Sequence, residues 1–531
     1  MSQYVLPLLL LLPVIGAIVA AVLPRARDAK FWALLVALLM GVIGVYLLVA
    51  FPYAQRGWQF IFPAKDSDWL SLSSIGFSFS LGMDTISLWL VILTILLMPL
   101  SIAASFDSIK DRPKQYYAWM LALSTAMLGV FVARDLLLFY IFFELTLIPM
   151  FFIIGIWGGP ERRYAAAKFF LFTFAGSVFT LAAVVYLGMK AGTFDIDAVT
   201  HFAQTSMSDT ERFWVALGFL AGFSVKVPLF PVHTWLPLAH TEAPTAGSVI
   251  LAGVLLKLGT YGILRLVIPI GLVARNGFLF PNLIACIGVL CLIGIIYGAL
   301  VAWVQQDIKK LVAYSSVSHL GFCVLGLMAL NDYGIQGSVL YMVNHGLSTG
   351  ALFLCIGMIY ERYHTRDINE LSGLARIMPK LAFFFVLFAL SSIGLPGLNG
   401  FTSEFLTILG AFTSNYLGIG FGSIAALGVI LGAVYMLHMV ARVIWGPLKV
   451  PGGHGGDHGH GHEKHASTDI NSREVAILVP LALAVVFLGV LPTSLMRRML
   501  DPIQRLQQPI TLTTPTPEAK VPTPTVVAAA K

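Results

Sequence analysis

Long apolar runs separated by short polar segments alternate along almost the whole chain. A run of about 20 apolar residues is what an α-helix needs to cross the roughly 30 Å hydrocarbon core of a bilayer. The pattern therefore predicts an all-α polytopic membrane protein with about fourteen transmembrane spans. The predicted spans lie at about 3–23, 31–51, 83–105, 114–133, 136–157, 165–189, 213–240, 245–270, 279–304, 311–330, 335–360, 379–412, 419–441 and 475–496.

The seventh and twelfth runs are longer than one crossing requires, and both carry proline and glycine near the middle. The seventh contains Pro228, and the twelfth contains Pro396 within the sequence GLPG. Proline has no backbone N–H and cannot continue the hydrogen-bond ladder of a helix. We therefore expect two broken helices, with the breaks at Pro228 and Pro396.

Matching landmarks predict an internal repeat. Asp135 opens the fifth span and Pro228 breaks the seventh, whereas Asp307 precedes the tenth span and Pro396 breaks the twelfth at nearly the same spacing. An offset of five spans turns the second copy upside down, as in many transporters. The landmarks predict that spans 4–8 and 9–13 form two inverted five-helix repeats, each with a broken helix. Coincidence between two proline-containing helices is the alternative.

The spans divide the chain into six parts: the N-terminal spans 1–3 (1–112), the first repeat (113–270), the second repeat (271–445), a His-rich loop (446–474), the last span with its flank (475–506) and a tail (507–531). We expect the Pro- and Thr-rich tail to be disordered, because it has too little apolar bulk to pack. Lys and Arg concentrate in the loops that follow odd-numbered spans, which are therefore predicted to be cytoplasmic. Both termini are then expected on the non-cytoplasmic side, most simply of a bacterial plasma membrane.

Composition excludes a soluble protein, because 58% of the residues are hydrophobic and only 11% are charged, against about 25% charged in soluble domains. Topology explains the net charge of +7, so we expect no nucleic-acid partner. The four cysteines lie in apolar runs without the spacing of a zinc or iron–sulfur site. We therefore predict that this chain carries no metal or redox centre.

Ionisable residues inside the apolar runs are the main functional signal. Each costs about 2.5–3.5 kcal/mol at a helix centre unless it faces a partner or a wet cavity. Any one of them could be a structural ion pair or a core histidine, but together they favour an ion path. They are Glu144, Lys226, Lys257, His319, His345 and Glu404.

A buried lysine with a movable carboxylate partner can be switched between its protonated and neutral forms. We expect Glu144 to be that partner for Lys226, and Lys226 to release its proton toward Lys257. Glu404 is the expected terminal acceptor beside the outer exit. The candidate relays are His233, His240, His319 and His345.

Two further groups of charged or histidine residues are not assigned a function. Lys309 and Lys310 lie at a loop–helix junction and are explained by topology. The His-rich loop is a weak candidate for binding Zn²⁺ or Ni²⁺ or for buffering protons, and we favour no physiological metal site there. Its histidines are His454, His458, His460, His462 and His465.

Three blocks resemble a known family. They are FPVHTWLPLAHTEAPTAGSVILAGVLLKLGTYGILR (Phe230–Arg265), DIKKLVAYSSVSHLGF (Asp307–Phe322) and YERYHTRD (Tyr360–Asp367). They are similar to the proton-translocating, antiporter-like subunits of respiratory complex I, NADH:quinone oxidoreductase. The resemblance covers about residues 80–500 and implies the fourteen-helix fold with an inverted repeat.

The resemblance also implies roles for individual residues. The glutamate of the family's fifth helix falls on Glu144, the lysine of its broken helix on Lys226 and the central lysine of its eighth helix on Lys257. At the twelfth-helix position the L- and N-type subunits and the Mrp relatives have lysine, whereas the M-type, the counterpart of mitochondrial chain 4, has glutamate. Glu404 and the expected lack of a long lateral helix therefore resemble the M-type. The family pattern does not explain the His-rich loop or the tail.

In such a complex, NADH, FMN, iron–sulfur clusters and quinone are expected in other subunits, and this chain would move protons without binding a cofactor. Its expected partners are the L- and N-type neighbours and the lipid bilayer. One alternative is an Mrp-type Na⁺/H⁺ antiporter subunit. A second is a structural membrane-arm scaffold whose buried charges only hold helices together.

Overall fold

Helices make up most of the computed structural model, which describes residues 2–55, 57–63, 71–72, 76–272, 279–451 and 468–507. The helices before the eighth span are α1 (Val5–Val22), α2 (Ala26–Ala50), α3 (Thr85–Ala104), α4 (Pro113–Val132), α5 (Leu136–Leu145), α6 (Leu147–Trp157), α7 (Arg162–Ala191), α8 (Ile196–Ser206), α9 (Asp209–Lys226) and α10 (Trp235–Glu242). The eighth span consists of α11 (Thr245–Ile250), a π-helical segment (Leu251–Leu255), α12 (Leu256–Gly262) and a second π-helical segment (Ile263–Leu272). The remaining helices are α13 (Leu279–Trp303), α14 (Ile308–Met328), α15 (Asp332–Tyr363), α16 (Pro379–Ser392), α17 (Asn399–Thr413), α18 (Ile419–Val443), α19 (Ser472–Val490) and α20 (Thr493–Leu506).

The predicted fold class is confirmed. Within the described ranges, 12 stretches of helix are long and apolar enough to cross a membrane, and they coincide with predicted spans 1–6, 8–11, 13 and 14. The two other predicted spans are pairs of shorter helices. Span 7 is α9 followed by α10, and span 12 is α16 followed by α17.

Both breaks lie where proline and glycine predicted them. In span 7, residues 227–234 separate the two helices, and the Trp235 indole N–H donates to the Val225 carbonyl oxygen at 3.0 Å. This bond satisfies a carbonyl that the interrupted helix leaves without its usual partner. In span 12, Gly394 and Gly397 adopt φ values of +73° and +92°. Side chains disfavour this left-handed conformation, so glycine permits the break.

The fifth span is also interrupted, which the sequence analysis did not predict. α5 ends at Leu145 and α6 begins at Leu147, and the Thr146 hydroxyl donates to the Phe143 carbonyl oxygen at 2.7 Å. Pro149 lacks the N–H that would bond to the Leu145 carbonyl, so the ladder is open at this point. The interruption lies directly beside Glu144.

Several short elements outside the spans were not predicted either. Between spans 2 and 3, β1 (Gln59–Phe62) pairs antiparallel with β4 (Leu81–Met83), and β2 (Ser71–Leu72) pairs antiparallel with β3 (Phe77–Ser78). α8 lies between spans 6 and 7, and α20 follows the last span. α20 buries Leu495, Met499, Ile503 and Leu506, a three-to-four-residue spacing typical of an amphipathic helix.

The two repeats share the same local structure at the start of their second spans. Asp135 and Asp195 form an isolated antiparallel bridge, and Asp307 and Asp367 form another, with the same separation along the chain. The Asp135 carboxylate caps α5 by accepting from the Leu137 and Leu138 amides. The Asp307 carboxylate caps α14 in the same way by accepting from the Lys309 and Lys310 amides.

The loops are sorted onto two opposite sides of the molecule, as the predicted alternation requires. On one side, contacts between loops that follow odd-numbered spans join Trp157 to Asp111, Gly159 to Glu242, Lys309 to Ala243, Arg366 to Asp307 and Ser372 to Lys449. On the other side, contacts join Leu81 to Ala133, Asp135 to Asp195, Arg212 to Ile270, Asn331 to Gly410 and Gln507 to Asp332. The two aspartate bridges therefore lie on opposite sides, which is the inverted arrangement.

Spans 8, 10 and 11 form the centre of the bundle, because almost every residue in their apolar cores is buried. α1, α2, α7 and α18 instead present rows of exposed apolar side chains at the periphery, as expected for surfaces that face lipid or neighbouring subunits. Most of the predicted ionisable residues thus lie in the protein interior. The histidines of the His-rich loop and residues 508–531 lie outside the described residues, so the predictions made for them are not addressed.

Candidate functional site

Lys257 lies at the centre of the bundle in α12, between the two π-helical segments of span 8. Its side chain is completely buried, and Nζ lies 2.8 Å from Nδ1 of His345 on span 11. Nζ also donates a hydrogen bond to the Ala252 carbonyl oxygen within the preceding π-helical segment. A π-helical segment breaks the i→i−4 pattern and frequently occurs at functional sites. Here it leaves a main-chain acceptor for the lysine.

Three residues continue the path from His345 to span 12. The ring centroids of His345 and His319 are 5.7 Å apart. Nδ1 of His319 lies 2.5 Å from the Tyr341 hydroxyl, which donates to Oε1 of Glu404 at 2.9 Å. Nδ1 of His319 also lies 3.5 Å from Oε1 of Glu404. The structure therefore places Lys257, His345, His319, Tyr341 and Glu404 in one series, which we call the central chain; its members are hydrogen-bonded except between the two histidine rings, where Nε2 of His345 has no partner among the described residues.

A small polar cavity adjoins the central chain. It is lined by His319, His345 and Glu404, among other polar residues, and leaves about 10 Å³ for the centre of a water-sized sphere, which is about the space that one water needs. The Asn344 amide donates to the Asn399 carbonyl oxygen at 2.6 Å, which ties span 11 to the second half of broken span 12. Neither Tyr341 nor Asn344 was predicted, because uncharged polar residues give no strong signal within an apolar run.

Lys226 and Glu144 lie near each other in the first repeat without forming an ion pair. The Lys226 Nζ donates to the Thr146 hydroxyl at 3.1 Å and lies 5.0 Å from the centroid of the Phe143 ring. Glu144 is close enough to Lys226 and to Ser177 of span 6 to interact electrostatically with both, and the Ser177 hydroxyl donates to the Phe174 carbonyl oxygen at 2.9 Å. One carboxylate oxygen of Glu144 is buried without a partner among the described residues. The interruption of span 5 thus supplies the hydroxyl that holds Lys226.

The two remaining candidate relays differ in position. His240 is completely buried on α10, and its ring stacks on that of Phe353 with the centroids 4.7 Å apart. Both ring nitrogens of His240 lack a hydrogen-bond partner in the described part of the chain. It interacts electrostatically with Lys257 and Lys309. His233 lies in the break of span 7 against Phe230. No contact within the described ranges joins His233 to the central chain.

A second polar cluster, which was not predicted from the sequence, lies on the side of the even-numbered loops. Arg265 forms a buried ion pair with Asp84 and lies 4.7 Å from the centroid of the Trp58 ring. The Trp58 indole donates to Asp197 on α8 at 2.9 Å. Burial raises the pKa of Asp197, and the neighbouring charge of Asp195 adds to this shift. Arg265 was noticed only as a charge within span 8, because its partners are distant in sequence.

Lys309 was interpreted as a topological charge together with Lys310, but the structure separates them. Lys309 is only 6% exposed, whereas Lys310 is on the surface. Adjacent residues on a helix point in directions about 100° apart, so burial of one is compatible with exposure of the other. Only the tertiary structure reveals which of the two faces inward.

Metal ligands are scarce in the residues described. No group of three or more His, Cys, Asp or Glu side chains among them could hold a metal ion. The cysteines of the described ranges are free thiols, three of them buried and Cys286 exposed. The contacts described above join lysine, histidine, tyrosine and carboxylate groups, which can exchange protons.

Comparison with known proteins identifies relatives over almost the whole chain. A family described as NADH:quinone oxidoreductase/Mrp antiporter, transmembrane, matches residues 133–430, and one described as NADH-ubiquinone oxidoreductase chain 4, amino terminus, matches residues 67–133. NADH-quinone oxidoreductase subunit M of Rhodobacter capsulatus is 42% identical over 519 residues, which cover 94% of this chain and 95% of that protein.

Solved structures agree with these sequence matches. A chain of respiratory complex I from Thermus thermophilus superposes with a TM-score of 0.81 and 29% identity, covering 96% of this chain and 100% of the other. A chain of the Mrp complex from Dietzia superposes with a TM-score of 0.82, covering 96% of this chain and 98% of the other. At 20% identity, the second likeness shows a shared fold alone.

Proposed function

The chain belongs to the family of antiporter-like membrane subunits of NADH:quinone oxidoreductase that comprises subunit M and chain 4, and on that premise we propose that it moves protons across the membrane through the central chain. The observation that carries this proposal is the connected series of buried titratable groups from Lys257 to Glu404. Isolated charges cost free energy in such a location, so a series of them requires a function.

Each transfer in the proposed path conserves charge and protons. Lys257 passes a proton from Nζ to Nδ1 of His345 and becomes neutral, and His345 releases a proton from Nε2 toward His319. Tyr341 donates its hydroxyl proton to Glu404 and regains one from Nδ1 of His319. Glu404 then holds the proton beside the break of span 12, where freed backbone groups favour water.

Lys226 and Glu144 are proposed to act upstream of Lys257. Lys226 packs on span 8 at Gly259, where an added Cβ would lie 3.2 Å from the Cβ of Lys226. A shift of the Glu144 carboxylate toward or away from Lys226 changes how strongly the ammonium form is stabilised. In the structure, the Lys226 amine is bonded to Thr146 and not to Glu144, so movement of the Glu144 carboxylate can change its interaction with Lys226.

Redox chemistry is assigned to other subunits of the complex. We propose that NADH, FMN, iron–sulfur clusters and quinone bind elsewhere, and that L- and N-type subunits flank this chain in a bacterial plasma membrane. The odd-numbered loops are proposed to be cytoplasmic, because they carry most of the Lys and Arg residues. Protons would then leave on the side of both termini.

The first experiment replaces Lys257 with alanine in the assembled complex. NADH oxidation coupled to quinone and formation of a pH gradient are measured in the same sealed vesicles, with assembly checked on a native gel. We expect both activities to fall together, by about 10²-fold for loss of a proton-transfer group. Lys310→Ala is the matched control, because Lys310 is exposed.

The outcomes separate the alternatives. If Lys257→Ala assembles and retains both activities, the buried charges are structural and the scaffold interpretation is correct. Wild-type chain that purifies without flavin and iron–sulfur subunits would instead favour an Mrp-type Na⁺/H⁺ antiporter subunit.

A further inference from the structure

Lys309 is a buried lysine at the boundary between the two repeats that the proposed path does not use. It lies in the first turn of α14, which belongs to the second repeat. Its Nζ donates to the Ala243 carbonyl oxygen at 2.5 Å, at the point where span 7 leads into span 8 of the first repeat. Within the described ranges, no ion pair joins Lys309 to a carboxylate, and its ammonium group donates to a neutral carbonyl instead.

The charges that surround Lys309 are largely engaged with each other. Asp307 caps α14 through the Lys309 and Lys310 amides and pairs with Arg366 at 3.3 Å. Arg366 also donates to the Thr241 carbonyl oxygen at 2.8 Å. The Glu242 carboxylate accepts from the Glu161 amide at 2.9 Å. The positive charge of Arg366 repels protonated Lys309, whereas the carboxylates of Asp307 and Glu242 attract it.

An open groove lies beside the start of α14, on the side of the odd-numbered loops. It has a volume of about 610 Å³ and is lined by Asp307, Lys310 and Arg366 together with Tyr360 and His364. On its inner side Lys309 interacts electrostatically with His240, whose ring nitrogens lack partners in the described part of the chain. His240 in turn interacts with Lys257. Lys309 thus interacts with Asp307 and Arg366, which line the surface groove, and with His240.

We propose that Lys309 is a proton-transfer residue that carries protons from this groove to His240 and on to Lys257. The inference rests on the proposed function and adds a separate uptake route at the boundary between the repeats. Protonated Lys309 gives one proton to a nitrogen of His240 and becomes a neutral amine, and a hydronium ion in the groove restores its proton and leaves water. The imidazolium of His240 then gives its proton to neutral Lys257 and returns to the neutral form.

The test compares four variants of the assembled complex: Lys309→Met, Lys309→Arg, Lys309→His and, as the control, Lys110→Met, since Lys110 is exposed in an odd-numbered loop outside the groove. If Lys309 has a purely structural role, arginine preserves its function, because arginine keeps the charge and can still donate to the Ala243 carbonyl. If Lys309 transfers protons, arginine does not preserve its function, because arginine does not release its proton in proteins. We expect Lys309→Met and Lys309→Arg to lose proton transport by about 10²-fold, and Lys110→Met to retain it.

Lys309→His provides a second readout that a structural role would not move. Histidine titrates near pH 6.5 and lysine near 10.4 in model peptides, so this variant is expected to transport protons with its pH profile shifted toward acid. Transport at the wild-type level in Lys309→Arg, or equal loss in Lys309→His and Lys309→Met, overturns the proposal. Loss in Lys257→Ala with full activity in Lys309→Met overturns this inference but leaves the proposed function intact.

Discussion

At the residue scale, Arg265 and Asp84 show how a charge in the interior is retained. The guanidinium of Arg265 bonds to Asp84 and donates to the Tyr261 hydroxyl at 3.1 Å and the Ser87 hydroxyl at 3.3 Å. A buried ion pair depends on such additional hydrogen bonds, because they offset the loss of hydration. Lys257 and Lys309 lack a bonded carboxylate within the described ranges, which distinguishes the proposed proton carriers from this structural pair.

We expect Asp84→Asn to destabilise the subunit without a direct effect on the central chain. Removing the carboxylate leaves the Arg265 charge buried and unpaired, a change that costs about 3–5 kcal/mol in other proteins. The measurement is the temperature at which the subunit unfolds in the purified complex. Asp111→Asn is the control, because Asp111 and Arg112 form an exposed pair and such pairs contribute little. Equal transition temperatures for the two variants would contradict the assignment.

At the element scale, the spans were predictable and their irregularities were not. The bounds of the spans follow from the length of an apolar helix needed to cross the membrane, and Pro228 and Pro396 marked the two breaks. The interruption at Thr146 was missed because Pro149 alone is compatible with a kinked continuous helix. The π-helical segments around Lys257 were missed because no local pattern encodes their packing, the first against span 11 and the second against α9.

Spans 8 and 11 approach each other closely at Gly253 and Gly346, which leads to a prediction. A Cβ at Gly346, next to His345, would lie 2.8 Å from the Gly253 carbonyl oxygen in the first π-helical segment. Gly346→Ala should therefore push the spans apart and weaken the contact between Lys257 and His345. We expect proton transport per assembled complex to fall several-fold.

Gly350→Ala is the matched control for that prediction. Gly350 lies one turn further along the same helix, and its added Cβ would meet its nearest neighbour, Val249, at 3.6 Å, an ordinary packing distance. The pH gradient formed in sealed vesicles is normalised to the amount of complex on a native gel. Equal transport by the Gly346 and Gly350 variants would show that the spacing of these spans does not control the proton path.

At the scale of the whole molecule, the inverted repeat places matched aspartate bridges at opposite ends of the bundle. The Asp135 bridge lies among the even-numbered loops and the Asp307 bridge among the odd-numbered loops. The sequence landmarks predicted this inversion from spacing alone, because an offset of five spans reverses direction. They could not predict that Lys309 and Arg366 of one repeat bond to backbone carbonyls of the other, since such contacts arise only when the repeats pack together.

The orientation of the two loop sets determines the direction of proton movement, and it can be tested with two equivalent asparagines. Asn369 is exposed among the odd-numbered loops and Asn415 is exposed among the even-numbered loops. Each is replaced by cysteine in a chain whose exposed Cys286 has been replaced by serine. A membrane-impermeant maleimide should label Asn369→Cys only in inverted vesicles and Asn415→Cys only in spheroplasts, because the Lys and Arg bias places odd-numbered loops in the cytoplasm. Labelling of both after detergent solubilisation controls for burial by neighbouring subunits. Reaction of both sites from one side would contradict the fourteen-span topology, whereas a complete exchange of sides would preserve the fold and reverse the proposed direction of transport.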